Sequence, residues 1–212
     1  MKKYFTIFAL GMMALSTAAF AATSAANTNT VAPTLQISAT IQSAVALTLS
    51  AGTSSTTPCT LTATGGSPDY TMNFGTVDAL GVNNGNCNKF APPAAGGNAI
   101  YWTDYKLTPV FTNQPATSGT TIKAQVTADF PGAVHNIFVV RDTANSATLP
   151  TSATQFTAMG TTVADTIVTA TPAVVSGTPI TRSIGVGVTP SNAAGVLTGA
   201  QSATVTFTLT VQ

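Results

Sequence analysis

The sequence predicts an all-β protein built as a sandwich, and three observations support this prediction. Short runs rich in Val, Ile, Thr and aromatic residues alternate apolar and polar positions, which is the two-residue period of a strand. Groups of Gly, Pro, Asn and Ser separate these runs at short intervals, as the turns of a sandwich do. No stretch shows the 3.6-residue periodicity of an amphipathic helix.

The predicted strands follow one another along most of the chain. The first run, TLQISATIQSAVALTLS, keeps its apolar residues at odd positions but is too long for an ordinary strand. It is therefore predicted to be either two strands joined at Gln42 and Ser43, or one continuous strand that takes part in two folded units. Later strands are predicted near residues 59–64, 70–74, 99–112, 122–130, 136–141, 163–168 (a weaker pattern), 180–188 and 203–211.

The last predicted strand, in QSATVTFTLTVQ, has an apolar face and a threonine face. Its apolar residues form a candidate acceptor edge and are Val205, Phe207, Leu209 and Val211. The sequence supplies no strand after it, and residues 203–211 contain no charge and no Pro. A flat, uncharged edge of this kind is an aggregation hazard unless another strand covers it. We therefore expect this strand to pair with residues 34–41 of another copy.

The N-terminus has the pattern of a secretory signal peptide, predicted over residues 1–21. Lys2 and Lys3 provide the positive start, an apolar stretch follows over residues 4–15, and small residues precede a cleavage site after Ala21. We therefore expect export, and no membrane span after the signal is removed.

Two further regions are predicted after the signal peptide. Residues 22–42 form a flexible polar leader followed by a candidate donor strand, and residues 43–212 form the sandwich domain. The alternate spacing of the donor strand would place its apolar side chains in successive pockets of a partner. These donor residues are Leu35, Ile37, Ala39 and Ile41.

The composition after export is nearly free of charge. Without Lys2 and Lys3 the chain carries five basic residues and six Asp, with no Glu. No basic patch is available for a phosphate backbone, so nucleic acid is not an expected partner. A surface solvated by hydroxyl groups suits a protein that is covered largely by copies of itself.

Two cysteines, Cys59 and Cys87, are predicted to form one disulfide. An even number of cysteines in an exported chain indicates a disulfide, because the compartment is oxidising. These two residues alone do not have the spacing of a metal site.

The sequence offers little that could support catalysis, so we expect no enzymatic activity and no cofactor. The single histidine, His135, has no Cys or second His near it, and a general base would need an orienting carboxylate and a nucleophile within hydrogen-bond reach. Paired-carboxylate chemistry would require two Asp, and the nearest pair, Asp69 and Asp78, is interpreted as turn residues.

Three other features have both a functional and a structural interpretation. Residues 78–88 are rich in Asn and could offer oxygens to calcium, but Asn-Gly turns explain them better. Lys106 and Lys123 could form internal amide crosslinks, although surface lysines are the more common case. Three aromatic residues could form a ligand-stacking surface or belong to the core: Tyr101, Trp102 and Tyr105.

Three stretches together resemble spore coat protein U-like domains and archaic chaperone–usher pilins. CTLTATGGSPDYTMNFGTVDALG is similar to the Cys-led strand and the FG segment of that family. AGVLTGAQSATVTFTLTVQ is similar to its final strand, and TLQISATIQ has the place of its N-terminal donor strand. The resemblance covers about a third of the chain and does not extend to residues 90–175.

The resemblance implies an incomplete immunoglobulin-like sandwich that a donated strand completes. It also implies a periplasmic chaperone and an outer-membrane usher as partners. We therefore expect a structural subunit of a cell-surface fibre, such as a pilus or fimbria, with a role in adhesion or biofilm. The alternative is a self-contained extracellular sandwich that binds carbohydrate or forms a surface layer.

Overall fold

The chain divides into two compact units, residues 1–41 and 42–212. The computed structural model describes residues 36, 38–39, 44–52, 60–82, 87–92, 97–112, 119–131, 136–144, 146–170, 176–190 and 199–211. In the first unit the described residues are Gln36, Ser38 and Ala39, which are exposed and outside any strand. The elements below all belong to the second unit.

The described part of the second unit contains eleven strands and one short 3-10 helix. The strands, in chain order, are β1 (Val45–Ala51), β2 (Thr60–Ala63), β3 (Tyr70–Asn73), β4 (Asn88–Phe90), β5 (Ala99–Phe111), β6 (Thr120–Ala128), β7 (Ile137–Asp142), β8 (Phe156–Ala158), β9 (Asp165–Ala170), β10 (Ile180–Val188) and β11 (Thr204–Val211). The 3-10 helix, Ala153–Gln155, lies immediately before β8.

The strands form two larger sheets and one hairpin, and every pair is antiparallel. The six-stranded sheet has the order β1-β5-β10-β7-β8, with β4 also paired to β5. The three-stranded sheet has the order β11-β6-β9, and β2 pairs with β3 in a separate hairpin. The prediction of an all-β sandwich is confirmed by these packed antiparallel sheets.

The main core lies between the two larger sheets. Tyr105 and Leu107 of β5 face Ile122 and Ala124 of β6, and Val186 of β10 joins the same buried cluster. Each large apolar side chain buried in this way contributes about 1.5–3 kcal/mol to stability. The alternation seen in the sequence therefore corresponds to one core face and one outer face on each of these strands.

A second, smaller cluster covers the outer face of the six-stranded sheet. The rings of Phe90 and Trp102 stack at a centroid distance of 5.7 Å, and Phe156 packs against both. Tyr101 and Tyr105, on the other face of β5, point into the main core. The idea that Tyr101, Trp102 and Tyr105 form one ligand-stacking surface is therefore wrong, because consecutive positions on a strand face opposite sides of the sheet.

Some elements differ from the sequence prediction. β1 begins at Val45. Residues 34, 35, 37 and 40–43, which include the predicted junction at Gln42 and Ser43, lie outside the described part of the chain. β9 begins at Asp165, two residues later than predicted. β4 and β8 were not predicted because three residues are too few to show a period.

Candidate functional site: an open cleft between two edge strands

Strands β1 and β11 form the two edges of a cleft on one side of the sandwich. Among the described residues, β11 pairs only with β6, and β1 pairs only with β5. The two strands approach each other without pairing. Each strand therefore has one backbone edge that pairs with no other strand of the described residues.

The side chains that face this cleft are only partly covered. On β11 these half-buried residues alternate with exposed threonines and are Val205, Phe207, Leu209 and Val211. On β1, Leu47 and Leu49 are half-buried, and Val45 is 61% exposed. By contrast, Ile122 of the neighbouring strand β6 is fully buried. The core is therefore fully covered at the middle of the sheet and only partly covered at this side, where the hairpin of β2 and β3 contacts β1.

The odd-numbered residues of β1 point their backbone groups away from its paired strand β5. The Thr112 amide donates to the Ala44 carbonyl at 3.1 Å, so the even-numbered residues of β1 direct their backbone groups toward β5. The odd-numbered residues then point away from β5, and the Leu49 amide instead donates to the Tyr70 hydroxyl at 3.4 Å. The backbone groups of Val45 point to the same side as those of Leu49, and the Val45 side chain is exposed at the start of the strand.

The odd-numbered residues of β11 likewise point their backbone groups away from its paired strand β6. The Val126 amide of β6 donates to the Gly160 carbonyl at 2.9 Å, away from β11, so the even-numbered residues of β6 do not bond to β11. Val205 lies opposite Val126, and Phe207 lies opposite Ala124. The β11 residues whose side chains line the cleft are thus also those whose backbone groups point into it. A strand placed beside β11 could therefore pack against these side chains and form hydrogen bonds with these backbone groups.

The opposite side of the sandwich is closed by polar contacts. The Arg182 guanidinium crosses between the sheets and donates through Nε to the Ile167 carbonyl at 2.7 Å. Arg141 and Asp165 form an ion pair at 3.0 Å, and the Gly160 amide donates to the Asp165 carboxylate at 2.7 Å. These bonds hold β9 against the six-stranded sheet. The partial exposure of the core residues at β1 and β11 is therefore not shared by the side of the sandwich at β9.

The charges on the closed side have shifted pKa values. Burial tends to raise the pKa of Asp165, but the hydrogen bonds from Arg141 and Gly160 outweigh it and hold this pKa below its usual value. Burial raises the pKa of Asp142, against the opposing effect of Arg182 and Arg141. The pKa shifts of Asp165 and Asp142 follow from their burial and from their contacts with neighbouring groups. We therefore assign both residues a structural role on this side of the sandwich.

An aromatic pair forms the floor of the cleft. The Phe207 ring packs against the Tyr105 ring at a centroid distance of 5.7 Å and an interplanar angle of 57°. Tyr105 is 2% exposed, and burial raises the pKa of its hydroxyl. Phe207 therefore rests on a fixed surface and stands as the largest side chain that β11 presents to the cleft.

The predicted site residues have different positions relative to the described structure. The candidate acceptor residues lie on an edge strand, as stated above. Of the candidate donor residues, Ala39 is exposed and outside any strand, and the other three lie outside the described residues: Leu35, Ile37 and Ile41. Cys87 is buried and disulfide-bonded, whereas Cys59 lies outside the described residues.

The remaining candidates take structural positions where they are described. Asp78 accepts hydrogen bonds from the amides of Leu80 and Val82 at 2.8 and 3.2 Å, which is the geometry of a turn. Lys123 is exposed on β6. His135 lies outside the described residues.

Sequence reasoning did not identify β1 as the second wall of the cleft. Its alternating residues Val45, Leu47 and Leu49 are visible in the sequence, but nothing there shows which strand faces β11. Within the described residues, no group of three or more His, Cys or acidic side chains could hold a metal ion. The described part of the chain also contains no helix long and apolar enough to cross a membrane.

Comparisons with protein-family models, curated proteins and solved structures find no match to this chain. Its function is therefore inferred from the cleft itself.

Proposed function

We propose that this protein is a structural subunit of a secreted cell-surface fibre, assembled by donor-strand exchange. In this proposal, residues 34–41 of one copy enter the cleft of the next and pair with β11. The observation that carries the proposal is β11, an edge strand whose apolar face is half-buried and whose second backbone edge pairs with no strand in the described part of the chain. Homopolymerisation would cover both features at once.

The donor segment matches the cleft in spacing and polarity. Its apolar residues recur at every second position, as do the cleft residues of β11, so both can interdigitate along one strand. Burying the three large donor side chains would contribute on the order of 5–8 kcal/mol, besides the hydrogen bonds of a new ladder. Neither the donor segment nor β11 contains a charge that would oppose this burial.

The proposal extends to the route by which the subunit reaches the cell surface. The signal-peptide pattern supports export to the periplasm, and the resemblance to chaperone–usher pilins supports a chaperone and an outer-membrane usher as partners. A chaperone strand would occupy the cleft before a neighbouring subunit does. The same resemblance supports an immunoglobulin-like topology, and fibres of this kind would serve adhesion or biofilm formation.

A charged residue at the centre of the donor set tests this function. Ile37→Asp should permit secretion but abolish polymerisation, because a carboxylate buried in an apolar cleft has no partner. Ser38→Asp is the matched control, because Ser38 belongs to the opposite face of the alternation and is exposed. Electron microscopy and gel ladders of the two variants and the parent give the readout.

Two results would contradict the proposal. One is a full yield of fibres from Ile37→Asp, or from a variant lacking residues 22–41. The other is a parent protein that stays monomeric and protects residues 34–41 within its own sandwich. The second result would favour the self-contained extracellular sandwich.

A further inference from the structure

We propose that the hairpin of β2 and β3 covers the second edge of β1, so that a strand from another copy adds to β11 alone. This inference rests on the proposed function and adds which of the two edges receives the partner strand. The hairpin then determines which interaction surface the sandwich offers to a second copy.

The strands β1 and β11 are alike as edges of their sheets. Each pairs with one strand among the described residues, and each directs the backbone groups of its odd-numbered residues away from that strand. Neither strand contains a charged residue or a Pro. An edge of this kind can receive a strand from another chain unless a further element covers it. The two edges must therefore be distinguished by what lies beside them.

The hairpin lies beside β1. The Leu49 amide donates to the Tyr70 hydroxyl at 3.4 Å, and β2 also contacts β1. A strand that paired with β1 at this level would need the Leu49 amide for its own ladder. It would therefore have to displace the Tyr70 side chain, which is half-buried.

The two edges differ in the length that remains for a new strand. On β1 the hydrogen bond to the hairpin leaves two odd-numbered positions together, Val45 and Leu47. On β11 four odd-numbered positions follow one another without pairing to a strand on that side in the described part of the chain. Each such position can exchange a pair of hydrogen bonds with an added strand, so β11 supports the longer ladder.

Side chains, rather than a backbone ladder, hold the hairpin in place. In the described part of the chain β2 and β3 form a sheet of their own, and Met72 and Phe74 pack against the same core as Leu49. After β3, the Asp78 amide donates to the Tyr101 hydroxyl at 3.2 Å. A two-stranded hairpin is marginally stable by itself, so its position depends on these contacts. Weakening them should uncover the edge of β1.

Amide hydrogen exchange of the monomeric protein tests the contact itself. In Tyr70→Phe the Leu49 amide should exchange about two- to tenfold faster than in the parent, because one hydrogen bond is lost. Thr71→Val is the matched control, since it removes a hydroxyl from the exposed face of the same strand and should leave exchange at Leu49 unchanged. Equal exchange at Leu49 in Tyr70→Phe and in the parent would overturn the cover.

A peptide of residues 33–43, used as the donor strand, tests which edge receives it. With saturating peptide the Phe207 amide of β11 should become protected from exchange, whereas the Leu47 amide of β1 should exchange as before. In a variant with both Tyr70→Phe and Met72→Ala the hairpin loses its hydrogen bond and part of its packing, so the Leu47 amide should become protected as well. Tyr70→Phe alone should show the same change to a smaller extent.

The outcomes separate the cover from the function on which it rests. Protection of the Leu47 amide in the parent would overturn the cover and leave strand addition standing. Protection of the Phe207 amide alone in the parent and in both variants would also overturn it, since the hairpin would then not decide the edge. Protection at neither edge would overturn strand donation by this segment, and the inference with it.

Discussion

At the scale of single residues, the ion pair of Arg141 and Asp165 is the contact most open to a test by pH. The pKa of Asp165 is lowered in the folded state, so its contribution to stability is present above the unfolded value of 3.8 and is lost as pH falls through the folded value. Asp165→Asn should therefore lower the free energy of unfolding at neutral pH by about 0.5–1 kcal/mol, and by less in acid. Thermal melts across this range give the measurement, with the exposed Asp69→Asn as control. A deficit that does not shrink in acid would show that the charge is not responsible.

The two cysteines carry the second prediction at this scale. Cys87 is buried and disulfide-bonded, and we predict that its partner is Cys59. Labelling of the exported protein under denaturing, non-reducing conditions should find no free thiol, and peptide mapping should recover the two cysteines linked. Quantitative labelling of both residues would rule the bond out. Removing this bond should cost about 2–5 kcal/mol.

At the scale of the element, strand β10 depends on close contact with its neighbour β5. A side chain at Gly185 would overlap the carbonyl oxygen of Tyr101 and crowd the Trp102 backbone, so β5 would have to shift. Gly185→Ala should therefore destabilise the protein by about 1–3 kcal/mol. Gly66→Ala is the matched control, because a methyl group there meets nothing within 4 Å. Equal denaturation midpoints for the two variants would refute the close contact.

At the scale of the whole molecule, the proposed strand donation predicts that the fold is stabilised when a donor strand occupies the cleft. A synthetic peptide of residues 33–43 should raise the melting temperature of the monomeric protein in a concentration-dependent way. At a hundredfold excess over Kd the gain is about 2.7 kcal/mol. The same peptide with Asp in place of Ile37 serves as control, since its carboxylate would be buried in the cleft. Identical melting curves with either peptide would mean that this segment does not occupy the cleft.

Most of the strands could be predicted from the sequence because their information is local. The two-residue period in β6 and β11 assigns each side chain to a face without reference to any partner. The short strands β4 and β8 could not be found this way, since their pairing with β5 and β7 depends on residues far away in sequence. The sequence also did not show which face of β5 the Trp102 side chain occupies, because that depends on which elements pack against β5.

The candidate site could also be predicted from the sequence only in part. By itself, the sequence determined that β11 has one apolar face, that residues 34–41 repeat its spacing, and that neither segment carries a charge. Only the tertiary structure decided that β11 lies at an edge, that β1 stands across from it, and that Phe207 rests on Tyr105. The physical reason is that an alternating pattern specifies which way each side chain points. Strand order depends instead on which sheets pack together, and that is a property of the whole chain.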